Sequence, residues 1–306
     1  MISVVIPLYN KERFIRSTIV SVLNQTFQDF ELIIINDGST DNSLEAVEEF
    51  DDKRIKIHTI ENSGVSIARN FGVQNAKYHY VAFLDADDYW DKTFLNEIKK
   101  LITQYPAEKV FASGGISIFS DHKIEYSNPF LPKKNEVDKI DYLKVISRFL
   151  PPVNSSNSVF KKLTLLEAGL FREGQKQHED HDLWLRVCKG NEVVYINKPL
   201  SFYRKSILNS GSQSKIRFFD FYNYLETILK VKNSIDKPRR LFFKTYYDKF
   251  ILLTFIKNQS GFSKEEIQKF FKLNRKIVSP HYLVLIYLVN LLPSGILYKF
   301  LKRVRR

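Results

Sequence analysis

Val81-Ala82-Phe83-Leu84-Asp85-Ala86-Asp87-Asp88 runs from four apolar residues directly into three carboxylates within four positions. The apolar half predicts a buried strand, where hydrophobic residues continue without alternation. The acidic half resists burial, because clustered carboxylates repel one another and lose their water at high cost. The strand is therefore expected to end at Asp85 and deliver the acids to the edge of a sheet. Oxygen ligands of this kind suit a hard divalent cation, magnesium or manganese, that bridges to substrate phosphates. They equally suit a solvated turn ahead of a helix starting near Trp90, and this stretch alone does not choose between the two.

The segments before it repeat one pattern. Residues 2–6 are an apolar run, which Pro7 is expected to end, with Asn10 placed to cap a helix. Phe14, Ile15, Thr18, Ile19, Val22 and Leu23 then fall on one helical face within residues 11–25. Residues 32–35 predict a second strand, running into the turn Asn36-Asp37-Gly38-Ser39-Thr40-Asp41 and a helix to about Phe50. Residues 54–60 alternate as a strand, and residues 64–76 read as a helix carrying Arg69. Strand and helix in alternation imply a parallel sheet covered on both faces, with ligands bound beyond the carboxyl ends of the strands. Tyr9-Asn10, Asp37 and the acids at 85–88 converge on that edge, which favours a metal–nucleotide site over a turn. No Gly-x-Gly-x-x-Gly or Walker loop is present, which disfavours a dinucleotide or P-loop site.

Beyond the acids, residues 90–105 predict an amphipathic helix, and residues 109–118 a strand holding Gly114-Gly115. Glycines inside a strand imply close approach of a ligand or another backbone. Helices are expected at 140–149 and 163–169, and strands at 155–160, 193–196 and 200–203. His178-Glu179-Asp180-His181-Asp182 opens a further helix, where first-turn acids also suit the helix dipole. Residues 205–214 read as a mobile polar loop, and residues 216–277 as about three helices.

The 306 residues, 44% of them hydrophobic, suffice for a sizeable core. A single cysteine, Cys188, leaves no internal disulfide and no cysteine-based metal site, and no His-Glu-x-x-His spacing occurs. The amino-terminal residues lack the basic start and long apolar run of a signal peptide, which is the expectation for a cytosolic fold. The net charge of +13 is lopsided: residues 211–306 hold 20 Lys+Arg against 6 Asp+Glu, whereas residues 1–210 hold 27 against 28. Two regions are therefore expected, with an anionic surface as partner of the second.

Taken together, five segments resemble the family-2 glycosyltransferases of the glycosyltransferase A fold. They are Val4-Val5-Ile6-Pro7-Leu8-Tyr9-Asn10, Asn36 to Asp41, Gly64 to Asn70, Leu84 to Asp88, and Glu179-Asp180 through Arg186. The resemblance covers about residues 1–210 and is in style that of bacterial enzymes of surface polysaccharides. It implies an α/β fold with a mostly parallel Rossmann-like sheet and flanking helices, a nucleotide-sugar donor (most often a UDP-sugar), a divalent metal (Mn2+ or Mg2+), and inversion at the anomeric carbon. By position, Pro7 and Tyr9 would line the base pocket and Asp37 would accept from the base. Arg69 would contact the nucleotide or pyrophosphate, and Asp85 would lie near the ribose. Asp87 would ligate the metal with Asp88 beside it. Asp180 would be the catalytic base with Glu179 as its neighbour, and Arg204 would approach the diphosphate. Asp182 and Arg186 are expected to be structural. Gly114-Gly115 and residues 155–157 are expected to shape the sugar pocket.

The basic, helical region 211–306 is expected to associate with membranes. Its apolar run at 281–292 is shorter than the roughly 20 residues that span a bilayer and is broken by Pro293, so it suits a helix lying in the interface. A spanning helix over 281–301 and a helix packed in a core are the alternatives. The implied acceptor is a polyprenyl-diphosphate-linked glycan at the cytoplasmic face of the membrane; no nucleic-acid motif is present. A sugar nucleotidyltransferase would carry a glycine-rich basic loop where this chain has Leu8-Tyr9-Asn10-Lys11-Glu12, and a non-catalytic adaptor would have no need of the acids.

Overall fold

The computed structural model describes residues 1–148, 151–205 and 215–291. Its strands in chain order are β1 (Ile2–Leu8), β2 (Phe30–Asp37), β3 (Ile55–Ile60), β4 (Tyr80–Phe83), β5 (Tyr89–Trp90), β6 (Val110–Ile118), β7 (Lys123–Glu125), β8 (Val137–Ile140), β9 (Ser158–Lys161) and β10 (Val193–Arg204). The helices are α1 (Ile15–Leu23), α2 (Ser43–Glu48), α3 (Val65–Asn75), α4 (Phe94–Gln104), α5 (Tyr142–Ile146), α6 (Lys162–Glu167), α7 (Glu179–Cys188), α8 (Phe218–Ser234), α9 (Lys237–Asn258), α10 (Lys264–Asn274) and α11 (Pro280–Asn290).

Among the described residues the strands form one sheet in the order β3-β2-β1-β4-β9-β6-β10-β5, with β7 on β6 and β8 on β10. The first four strands are parallel, and β6 and β10 are parallel to each other. Between these blocks β9 runs antiparallel to both β4 and β6. The sheet is thus mixed with parallel pairing predominant. Alternation explains the unbroken apolar runs: Val5, Ile33, Ile35 and Phe83 enter one core, while Val4, Ile6, Leu32 and Ile34 enter the other. The second core lies under α1, α2 and α4. The first is larger and takes residues from α3, α5, α7 and all of α8 to α11. The basic carboxyl-terminal helices therefore share a core with the sheet.

Several local expectations are corrected. Pro7 lies inside β1, because pairing with β4 stops at Val5–Phe83 and leaves Pro7 a strand neighbour on β2 only. Asn10 caps no helix; with φ of 50° it joins two loops, donating to Thr40 Oγ1 and accepting from the Thr40 N–H. Trp90 belongs to β5, stacked on Phe94 at 4.2 Å, and the helix starts only at Phe94. The expected strands at 193–196 and 200–203 are a single strand, bulged around Pro199. That bulge explains Gly114, where a Cβ would stand 2.9 Å from the Lys198 carbonyl oxygen. The helix expected to 149 ends at Ile146, and the expected loop 205–214 lies outside the described residues beyond Lys205.

Trp184 anchors the larger core. It is fully buried, stacked on Phe160 at 4.3 Å and edge-on to Phe171 at 5.7 Å. Trp184→Ala is expected to lower stability by about 3–5 kcal/mol, read from urea unfolding.

Candidate active site

The loops beyond β1, β2 and β4 meet the start of α7 and the ends of α9 and β10 around a cleft of about 1670 Å³. A pocket for one small ligand is typically about 300–1,000 Å³, so this cleft has room for two substrates. Pro7, Tyr9, Asp37, Arg69, Asp85, Asp87, Glu179, Asp180 and Arg204 all line it.

Asp37 accepts the Ser63 and Gly64 N–H groups at 2.7 and 2.9 Å, which fixes the entry to α3. Gly64 there has φ of 90°, a conformation that glycine adopts without strain. Arg69 follows on α3 with its side chain only 5% exposed. It donates to Asp85 Oδ1 at 2.7 Å and to Glu179 Oε1 at 3.0 Å. One guanidinium thus joins the β4 acids to the α7 acids, which are far apart in sequence. Burial opposes its charge, but Asp85 and Glu179 raise its pKa further and keep it protonated.

Asp87 faces the cleft and pairs with Lys11 at 2.6 Å. Asp88, expected beside a metal, is fully buried and does not line the cleft. Its carboxylate accepts the Ser156 hydroxyl at 2.5 Å and the Arg204 backbone N–H at 3.0 Å. Burial, with repulsion from Asp85 and Asp87, pushes its pKa well above the usual range. Arg204 is drawn into the same knot: it donates to the Asp87 carbonyl at 2.7 Å and to Ser17 Oγ at 3.1 Å, and its guanidinium lies over Tyr89 at 4.6 Å. Residues 155–157 and Gly114-Gly115 do not line the cleft. Ser156 acts instead on Asp88, and Gly114 makes room for β10.

Among the described residues no group of three or more His, Cys, Asp or Glu side chains forms a metal cage. The donor set nonetheless fits magnesium or manganese, which take one or two carboxylates and draw further ligands from phosphates and water. Asp87 and Asp85 are cleft-lining oxygen donors of that kind, and the Lys11 ammonium already marks Asp87 as a cation site.

His178 introduces α7 with φ of 56°, unusual for a non-glycine residue. Its ring is packed between Tyr224, stacked at 5.5 Å, and Phe250, edge-on at 5.3 Å. Burial, helped by His181, lowers its pKa to about 3, so it stays neutral. That packing sets the direction in which Glu179 and Asp180 leave the turn. Burial and Asp180 raise Glu179 to about 7 against the pull of Arg69. For Asp180, burial is outweighed by His181 and Arg69, and its pKa falls below the ordinary value. Asp180 is thus the ionised member, able to accept a proton. Asp182 and Arg186 face away: fully buried Asp182 accepts from Thr227 at 2.5 Å and from Arg186 at 2.9 Å. The sequence reading missed Lys11 and His178 and gave Ser156 a different role; His178 acts through packing and Ser156 through its hydrogen bond to Asp88, and neither leaves a motif.

A mixed α/β sheet with acids beyond β4 and a second acidic pair across the cleft defines the glycosyltransferase A class. The sequence model "Glycosyl transferase family 2" matches residues 3–160. This chain belongs to glycosyl transferase family 2. It is 33% identical over 199 residues to the UDP-Glc:alpha-D-GlcNAc-diphosphoundecaprenol beta-1,3-glucosyltransferase WfgD of Escherichia coli, covering 64% of this chain and 73% of that one. It is 30% identical over 239 residues to glycosyltransferase GlyA of Streptococcus pneumoniae, covering 70% of this chain but only 32% of GlyA. Its fold matches Staphylococcus aureus TarS 1–349 in complex with UDP-GlcNAc with a TM-score of 0.75 at 20% identity, over 94% of this chain and 88% of that one.

Glu179 makes stability depend on pH. Its raised pKa means that the folded protein holds a proton which the unfolded chain releases near 4.5. Its contribution is therefore greatest below pH 4.5 and is lost as pH rises towards about 7. Glu179→Gln is expected to flatten the fall in Tm across that window, measured by thermal denaturation at a series of pH values.

Proposed function

We infer that this chain is an inverting transferase moving one sugar from a nucleoside-diphosphate sugar, a UDP-sugar, to a hydroxyl of a polyprenyl-diphosphate-linked glycan in cell-surface glycan synthesis. The observation that carries this reading is the two-sided cleft, with Asp87, Lys11 and Arg204 on one side and the ionised Asp180 on the other. The name of WfgD, a diphosphoundecaprenol-linked acceptor included, and the UDP-GlcNAc bound to TarS support the substrate classes.

Pro7, Tyr9 and Asp37 would receive the base, and Asp85 would lie by the ribose. A divalent metal held by Asp87 would supply charge neutralisation on the leaving diphosphate. Lys11 and Arg204 add fixed positive charge on the same side. Asp180 takes the proton of the acceptor hydroxyl while that oxygen forms its bond to the anomeric carbon. The bond from that carbon to the diphosphate breaks in the same displacement, and configuration inverts. Arg69 holds the Asp85 side and the Glu179-Asp180 side at a fixed separation.

The same reading makes the protein peripheral at the cytoplasmic face of the membrane. Among the described residues no helix is long and apolar enough to cross a membrane. Yet α11 leaves Val284 59% and Leu288 55% exposed, with Leu291 just past its end 78% exposed, while Ile286 and Val289 face the core. An apolar surface beside a strongly basic region suits an anionic bilayer surface. The second half of the expected 281–301 span lies outside the described residues beyond Leu291.

Asp180→Asn is expected to cut transfer by about 10²–10⁴-fold while UDP-sugar binding by calorimetry is kept; transfer near the wild-type rate would place the base elsewhere. Arg204→Ala should lower turnover while the fold survives, read from circular dichroism, and unaltered kinetics would remove it from the diphosphate. Val284→Glu with Leu288→Glu should release the chain from vesicles containing anionic lipid in a flotation assay; full retention would refute an α11 contact.

A further inference from the structure

The cleft is lined by several lysines besides Lys11. Lys176 just before α7, Lys257 near the end of α9, Lys123 at the start of β7 and Lys205 after β10 all line it. Among the described residues none of these ammonium groups has an ion-pair partner, whereas the donor-side cations Lys11 and Arg69 are committed to Asp87, Asp85 and Glu179. The acids on the lysine side are Glu179 and Asp180, and Glu179 is taken by Arg69.

Two of these lysines, Lys176 and Lys257, stand on fixed supports. In α9, Ile251 and Phe255 are fully buried, which turns Thr254 and Lys257, three positions apart, towards the cleft. Asn258 locks that turn by donating to the Thr254 carbonyl at 2.8 Å and accepting the Ile216 N–H at 3.1 Å. The Lys176 backbone N–H is held by Asp220 of α8 at 3.2 Å. Lys176 immediately precedes the Gln177–His178 turn that aims Asp180, and Lys257 lies near enough to His178 to help keep it neutral. An excess of like charge over the acids around it is relieved by an anionic ligand, and lysine serves phosphate as a mobile point charge.

We propose that Lys176 and Lys257 form an anion subsite for a diphosphate on the acceptor, placed beside the hydroxyl that Asp180 deprotonates. This rests on the transferase reading above and adds how the acceptor is chosen: a diphosphate-linked acceptor is held and a neutral one is not. Both side chains are exposed, so replacing them spares the core.

The test uses the full chain saturated with UDP and Mn2+, so that the donor side is filled, and measures binding of farnesyl diphosphate, pyrophosphate and farnesol. Farnesyl diphosphate is expected to bind at least about tenfold more tightly than farnesol, and Lys176→Gln and Lys257→Gln each to weaken it about tenfold. UDP affinity, measured separately by calorimetry, should stay within about twofold, and Lys257→Arg should restore most of the loss. Pyrophosphate binding as tightly as farnesyl diphosphate would assign the site to the phosphates alone; weaker binding would show that the prenyl chain contributes, and both agree with the proposal. Equal affinity for farnesyl diphosphate and farnesol, or a parallel loss of UDP affinity in the variants, would overturn it and leave the transferase reading standing. Failure of the wild-type chain to bind UDP would remove both.

Discussion

A single buried guanidinium holds this site together. Arg69 comes from α3, yet its two partners arrive from opposite parts of the fold, Asp85 at the end of β4 and Glu179 at the start of α7. Without it, acids from two directions would be pressed together at low dielectric, and one or more would have to take up a proton. With it, the upward shifts of Glu179 and Asp85 are held in check and Asp180 remains ionised. The rest of the architecture serves this bridge: β1 to β4 carry Asp85 and the helix bearing Arg69, and the carboxyl-terminal helices set the turn that carries Glu179.

Each acid beyond β4 has a different partner, and so a different physical character. Asp85 meets a buried arginine, Asp87 an ammonium at the cleft, and Asp88 a hydroxyl and a backbone N–H in the interior. Residue type says nothing of this division. The strand ending sets it, because successive side chains point to different environments as the backbone turns. Asp88 thereby ties the acid motif to the end of β10, so that Arg204 is positioned by main chain as well as side chain.

The sequence was most legible where physics is local. Apolar runs located β1, β2, β4 and β6, and the acids after β4, the Asn-Asp-Gly turn and the Glu-Asp pair marked what gathers at the sheet edge. Where pairing or packing between distant segments decides the outcome, the sequence was silent. Pro7 stays in a strand because β4 has already ended; Trp90 becomes a strand because β10 offers an edge. The run at 281–292 is apolar all round, so its periodicity does not say which residues face the core; the contact with α9 buries Ile286 and Val289. His178 left no signal, since its importance lies in a left-handed backbone and in rings contributed by α8 and α9.

The shared core has a consequence for how such proteins diversify. The family pattern ends at residue 160, within β9, the strand that runs against both its neighbours. That point looks like a natural seam for recombination between relatives with different donors and acceptors. It is not a free one. Ser156 before the seam holds Asp88, Arg204 after it completes that same carboxylate, and Phe160 at the seam stacks on Trp184 beyond it. A shuffled chain would inherit two halves whose buried acid, Asp88, is gripped from both sides of the join. Donor and acceptor preferences in this lineage are therefore expected to drift together, through paired changes across the seam, more readily than by exchange of whole segments.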